Sequence, residues 1–390
     1  MLLRELEDVG VDPAGGVTRL SWSPVDRELR EWFAERATRA GLEVETDRNG
    51  NLWAWWEPEL PGTAFVVGSH LDSVRSGGIW DGPLGVAGGF AAVEALRGEG
   101  FRPSRPVAVV AFAEEEGARF GSACLGSRLL TGALEPERAL ALTDPDGVTL
   151  AEALRAAGQD PASVGADPER SARIGGFVEL HIEQGRLLTD GGAQGLAGAG
   201  AAVGLAEGIW PHGRWRVDLA GVPNHAGTTA LAERVDPVLA MAQGVVAVRR
   251  WAEELGILAT VGRVRVRPGS VNAIAADASL WIDARGADAE RVDALVERVE
   301  QELGVAAAVE SWTDATRFDS VITEAAGALP RLWSGAGHDA GVLALAGIPS
   351  AMLLVRNPTG VSHSPDEHAE ESDAVAGVAA LTEVLRRAAA

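Results

Sequence analysis

Apolar and polar positions alternate along this chain in two rhythms. The run SPVDRELREWFAERATRAGL repeats apolar residues at helical spacing through Leu29, Trp32, Phe33 and Ala37. It opens on Ser and Pro and should stop near Gly41, which predicts a helix. GVAGGFAAVEALRGEG, AERVDALVERVEQEL and the closing DAVAGVAALTEVLRRAA share that period, as does the helix expected beyond PNHAGTT. The second rhythm is short and almost wholly apolar: FVVGSH, PVAVVAFAEEE, FVELHIEQG and SAMLLV. A strand apolar on both faces must be covered on both, so such runs between helices predict a largely parallel sheet with helical layers. LEVETDRNGNLWAWW reads as two strands around an Asn-Gly turn. In sheets of this kind chemistry collects at the carboxyl ends of strands. His70, Glu114–Glu116 and His181 fall at such ends.

The rhythm changes after His181. Residues 191–204 hold six glycines and no charge, which suits a buried strand or a hinge. RWRVDLAG then alternates with period two, and the order over residues 208–312 is β-α-β-β-α-β, a split-βαβ insertion with its own sheet. Beyond residue 315 the chain returns to αβ alternation, with a helix at ITEAAGALPRLW and a strand at SAMLLV. The expected architecture is therefore α/β: a mixed, mostly parallel main domain over residues 1–206 and 316–390, with an inserted α+β domain of ferredoxin-like order over residues 207–315. RWRVDLAG is also a candidate edge strand, able to pair across a two-fold axis.

Composition narrows the function classes. Apolar residues at 46% and charged residues at 23% describe a soluble globular protein. The net charge is −22, and all 34 basic residues are arginine, an acidic balance that argues against nucleic acid and against an anionic membrane as partners. A single cysteine, Cys124, excludes a disulfide framework and a Cys-rich metal site. MLLRELEDVGVDP is charged from its start and no long apolar span follows, so the expected location is the cytoplasm.

The chemistry centres on GSHLDSVRSGGIWDGPLGV, residues 68–86. Asp72 lies two residues beyond His70, a spacing at which a carboxylate can orient a ligating imidazole. Asp81 sits among glycines that let the chain turn tightly, and a carboxylate so placed can bridge two cations. Glu115 and Glu116 in AEEEGARF point to opposite sides of an extended chain, so one can meet a metal while the other faces a substrate water. His70, His181, His225, His338 and His363 lie in Gly-, Ser- or Pro-rich loops, whereas His212 and His368 read as ordinary surface or core residues.

These stretches, with AEEEGARFGSACLGSR, ELHIEQG, GVPNHAGTT, PGSVNAI, SGAGHDA and GVSHSPDEH, stand in the order found in the amidase/hydantoinase/carbamoylase family. The chain resembles that family from GGVTRLSWSP at residues 15–24 to its last helix. The family holds allantoate amidohydrolases, N-carbamoyl-L-amino-acid hydrolases and β-ureidopropionases, and is related to di-zinc aminopeptidases and dipeptidases. The resemblance implies a di-zinc peptidase type of catalytic domain with two divalent metal ions per subunit, Zn²⁺ or Mn²⁺, with Co²⁺ as a substitute in vitro. His70 and His181 would bind one ion, Glu116 and His363 the other, and Asp81 would bridge them. Glu115 would be the general base and Asp72 the support of His70.

The resemblance further implies that His225 reaches from the inserted lid domain, usually of a partner subunit, to polarise the scissile carbonyl. Gln184, Asn272 and Arg285 match substrate positions, Arg285 as a bidentate clamp for a carboxylate. His338 and Asp339 would line or support the site, and the inserted domain would form a homodimer. Two departures stand out. Trp80 replaces the usual Tyr or Phe, and LLVRNPTGVSHSP places Arg356 seven residues before His363. We expect Arg356 to face the substrate and select an acidic side chain, as in an N-carbamoyl- or N-formyl-glutamate type compound. The activity implied is hydrolysis of a linear, non-peptide C–N bond in a small molecule, with allantoate and N-carbamoyl-L-amino acids as equal candidates. HIEQG argues against a metallo-dipeptidase. Glu115 beside five ligands argues against a homologue that only binds metal or amino acids.

Overall fold

In the computed structural model, which describes residues 2–390, the four apolar runs form neighbouring parallel strands. Their order across the sheet is Val107–Phe112, Ala64–His70, Ile174–Ile182 and Ser350–Val355. Antiparallel strands flank them: Leu52–Trp56 beside Val107–Phe112, and Val203–Ile209 beside Ser350–Val355. Alternation along each strand assigns the side chains to two cores. Val67, Val109, Leu180 and Leu353 pack on one face with residues of the helices Pro24–Arg39, Pro83–Gly98 and Glu371–Ala388. Val66, Val110, Phe177 and Met352 pack on the other. Burial of each such Val or Leu contributes about 1.5–3 kcal/mol, so the register of the centre is strongly specified. The helix Pro24–Arg39 starts where its sequence indicates: Ser23 accepts the Asp26 N–H, and Pro24 takes the first position, where no N–H is needed.

The chain divides into two compact units, one running up to Ile209 and resuming at Arg317–Ala390, the other Trp210–Thr316. The second unit has a four-stranded antiparallel sheet ordered Ala308–Thr313, His212–Ala220, Asp277–Arg285, Leu258–Arg267. The helices Pro237–Leu255 and Ala289–Leu303 cover it with a core that includes Val217, Leu280, Val248, Leu295 and Val299. A separate two-stranded ribbon pairs Asn224–His225 with Ala273–Ile274.

Three local expectations change. RWRVDLAG is an interior strand, hydrogen-bonded on both sides, and the open edges belong to Leu258–Arg267 and Ala308–Thr313. The helix expected across ITEAAGALPRLW is confined to Ser320–Ala325, and Arg331–Ser334 is a strand parallel to Val203–Ile209. Pro330 explains the switch, because proline breaks a helix interior yet is tolerated ahead of a strand. Residues 191–204 become the short helix Gly195–Ala199 followed by the start of Val203–Ile209. The stretch between Glu116 and the strand Ile174–Ile182 carries helices at Leu125–Thr131, Pro136–Leu140, Leu150–Ala156 and Pro168–Arg173. All are too short for a periodic signal. Among the described residues no helix is long and apolar enough to cross a membrane.

Candidate metal centre

The parallel strands all deliver polar residues to one edge of the sheet. His70 ends its strand, His181 is next to last in Ile174–Ile182, Phe112 leads into Glu114–Glu116, and Val355 leads into the loop bearing His363. Asp81 lies between His70 and the helix Pro83–Gly98. Its two oxygens face different partners. Oδ1 is 3.4 Å from His70 Nε2 and 3.1 Å from His181 Nε2. Oδ2 is 3.6 Å from His363 Nε2, itself 3.3 Å from Glu116 Oε2. The groups His70/Asp81/His181 and Asp81/Glu116/His363 each converge one donor atom per residue to within 4.8 Å.

The outer ring nitrogens are already engaged. His70 Nδ1 is 3.0 Å from the Asp72 carbonyl oxygen, and His181 Nδ1 is 2.8 Å from that of Ile182. Each imidazole can donate there and turn an Nε2 lone pair towards Asp81. This revises the role expected of Asp72. Its carboxylate is 3.7 Å from the ring and instead accepts the N–H groups of Glu115 (3.2 Å) and Glu116 (3.1 Å). Asp72 thus orients His70 through its backbone and the glutamate loop through its side chain.

His70 Nε2 and His181 Nε2 are buried facing Asp81 Oδ1 without a well-aligned hydrogen bond, and Glu116 Oε1 is buried without a partner. Buried polar atoms are rarely left so, and imidazole and carboxylate donors converging on one aspartate suit a divalent ion such as Zn²⁺ or Mn²⁺. The residues present therefore fit a metal. The electrostatics agree. Burial pushes the Glu116 carboxyl up to about 8, with Asp81 adding to the effect. Burial also holds Glu115 well above the carboxylate range, against the pull of His70. Burial opposes the charge on His181, yet Asp81 outweighs it and lifts the imidazole to about 9. Asp81 stays well below its usual range: burial raises it, but His181 and His70 win. A cation would keep such a carboxylate cluster ionised.

Other residues meet at this edge, and of these Glu179 and Glu367 carried no clear sequence signal. Glu179, two positions before His181 and so on the same face of the strand, accepts Ser69 Oγ–H (2.6 Å) and the Ala340 N–H (3.0 Å). His338 is buried, its ring 4.6 Å from that of His181 and its Nε2 3.2 Å from Ser334 Oγ. Asp339 accepts Ser127 Oγ–H. Gln184 donates to Asp81 Oδ2 (2.7 Å) and Ser362 Oγ (3.1 Å), which brings it into the cluster. Glu367 accepts the N–H groups of Trp80 and Asp81 from a position 286 residues beyond Asp81.

Arg356 is occupied elsewhere. Its guanidinium grips Asp373 of the last helix with two hydrogen bonds, Nε–Oδ2 at 2.7 Å and Nη2–Oδ1 at 3.0 Å. This pairing uses the planar fork on a buried carboxylate and competes with the substrate role expected of Arg356. In the second unit, Arg285 places Nε and Nη2 on Asp283 Oδ1. His225 pairs across the ribbon with Ala273, and the Ala226 N–H bonds to the Asn272 carbonyl, so His225 and Asn272 come side by side. His225 is exposed, and its Nδ1 accepts the Gly227 N–H at 3.1 Å.

Residues 66–387 match the family described as peptidase family M20/M25/M40. The N-carbamoyl-L-amino acid amidohydrolase of Geobacillus stearothermophilus is 37% identical over 97% of this chain and 95% of its own length. The allantoate amidohydrolase of Escherichia coli K12 is 32% identical over the same shares, 97% and 95%. Among solved structures, an amidase of the hydantoinase/carbamoylase family from Burkholderia vietnamiensis superposes with a TM-score of 0.86 at 29% identity, covering 99% of this chain and 95% of that one. The chain belongs to peptidase family M20/M25/M40, a family of metal-dependent hydrolases, and within it to the hydantoinase/carbamoylase amidases.

Proposed function

We propose that this protein is a two-metal amidohydrolase that cleaves the linear, non-peptide C–N bond of an N-carbamoyl or ureido amino acid. The observation that carries the reading is the division of labour at Asp81, whose Oδ1 faces His70 and His181 while Oδ2 faces the His363 and Glu116 side. His70 and His181 would hold one ion, Glu116 and His363 the other, with Asp81 between them. Bound there, divalent ions supply a water made acidic enough to lose a proton near neutral pH and polarise the scissile carbonyl. Glu115 would serve as the general base, able to accept a proton from the attacking water and return it to the departing nitrogen. Its carboxylate lies 3.7 Å from His70 Nε2, beside the donors that would hold the ions. Gln184 holds the Asp81 carboxylate and the Ser362 hydroxyl in place. His225, Asn272 and Arg285 are the groups of the second unit proposed to bind the carbonyl and carboxylate of the substrate.

The second unit is also the proposed dimer surface. Exposed apolar side chains concentrate there, including Val222, Leu231, Val235, Leu239 and Val246, and its strand Leu258–Arg267 leaves an open edge. The deciding experiment adds Zn²⁺, Mn²⁺ or Co²⁺ to chelator-stripped protein and measures hydrolysis of allantoate, N-carbamoyl and N-formyl amino acids, and dipeptides. Turnover of a ureido compound is expected. Cleavage of dipeptides alone, or silence across the panel with metal bound, sinks the proposal.

A further inference from the structure

Glu367 is buried four residues beyond His363 and touches two loops that are remote in sequence. Its Oε1 accepts the N–H of Trp80 at 3.2 Å and of Asp81 at 3.0 Å. Its Oε2 lies 3.3 Å from the Ser362 hydroxyl, whose single proton is shared with Asp81 Oδ2 at 3.4 Å. The space for this carboxylate depends on Gly78, where a Cβ would stand 2.2 Å from Oε1. A single side chain therefore fastens the backbone that presents Asp81 to the turn that presents His363.

The two halves of the centre depend on that fastening to different degrees. His70 and His181 project from strands of the central sheet, and each ring is oriented by a carbonyl of its own segment. His363 comes from a loop, has a φ of 56°, and leaves half of its side chain in solvent. Asn357 shapes the earlier part of that loop, accepting the Thr359 and Gly360 N–H groups and donating to the Val361 carbonyl. Beyond Val361 the turn is tied back through Ser362, to Glu367 and to Gln184.

Resting on the two-metal reading, we infer that Glu367 is a positioning residue for the Glu116/His363 site. It sets the spacing between Asp81 and His363, so that without it the second ion is lost before the first. Carboxylate acceptors make stronger hydrogen bonds to backbone N–H than neutral groups do. Glu367→Ala removes the tie, whereas Glu367→Gln keeps a carbonyl oxygen able to accept the Trp80 and Asp81 N–H groups.

The test has a metal-free arm and a metal arm. In chelator-stripped protein, amide hydrogen exchange of the Trp80–Asp81 segment should speed up by about tenfold or more in Glu367→Ala, with Glu367→Gln in between. In competition with a chromogenic chelator, the wild type should hold two Zn²⁺ per chain. Glu367→Ala should weaken the second ion on the order of 10–100-fold while the first changes little. Unchanged exchange in both variants, or equal weakening of both ions, overturns the inference. A wild type that never takes up a second ion overturns the two-metal reading instead, while the exchange arm still reports on the tie. If Glu367→Ala does not fold, Glu367→Gln carries both arms with smaller shifts in the same order.

Discussion

Gly82 lies against the His70 ring so closely that a Cβ at position 82 would stand 2.3 Å from Cε1. The backbone there has a φ of 83°, which a side chain also disfavours. Gly82→Ala thus carries two penalties, strain at residue 82 and displacement of His70. We expect metal affinity to fall on the order of 10–100-fold. Chelator competition checks this, and a variant with wild-type affinity would contradict the role given to the glycine.

Glu115 separates proton transfer from metal binding. Glu115→Gln preserves shape but cannot take a proton, and should lower kcat by about 10²–10⁴-fold with KM and metal content close to wild type. Steady-state kinetics with metal analysis on the same samples distinguishes this from loss of a ligand. Glu116→Gln, by contrast, should lower metal content.

Asn51 closes the loop that carries both glutamates. Its Oδ1 accepts the Ala113 N–H at 3.0 Å, and its Nδ2 donates to Asp47 Oδ2 at 2.9 Å and the Gly126 carbonyl at 3.3 Å. Asn51→Ala strands the buried Ala113 N–H at about 1–3 kcal/mol, while Asp47 Oδ2 keeps the Trp53 Nε1–H. Chemical denaturation should show that loss, together with reduced activity.

Arg356→Ala should act on stability rather than selectivity. It leaves Asp373 buried without its bidentate partner, at a cost of about 1–3 kcal/mol. Preference between acidic and neutral N-carbamoyl amino acids should stay the same. A changed preference at unchanged stability would restore the role first expected of this arginine.

Metal removal should lower the melting temperature, because ions bind the folded arrangement and not the unfolded chain. At a free metal concentration about 1,000 times Kd the stabilisation is about 4 kcal/mol. Differential scanning calorimetry with and without chelator measures it, and full recovery on adding metal back is expected.

Much of this was legible because it depends on local pattern. The runs at Ala64–His70, Val107–Phe112, Ile174–Ile182 and Ser350–Val355 are so uniformly apolar that only a sheet covered on both faces can satisfy them. Polar residues at their ends then point to one edge of that sheet, which is why His70, Glu115, Glu116 and His181 group together from sequence alone. The short helices between Leu125 and Arg173 left no such trace, and Pro330 turned an expected helix into a strand.

What sequence alone determined was the kind of sheet, the edge where chemistry gathers and the residue types gathered there, since periodicity and strand ends are properties of neighbours in the chain. Tertiary structure alone decided where each side chain is spent. Arg356 sits in a loop near His363 but is taken by Asp373 from another element. Asp72 lies beside His70 in sequence, yet its carboxylate serves Glu115 and Glu116. Glu367 meets the backbone of Asp81 across 286 residues. Hydrogen bonds and ion pairs depend on distances of a few ångströms in space, and spacing along the chain does not encode them once the chain has turned back on itself.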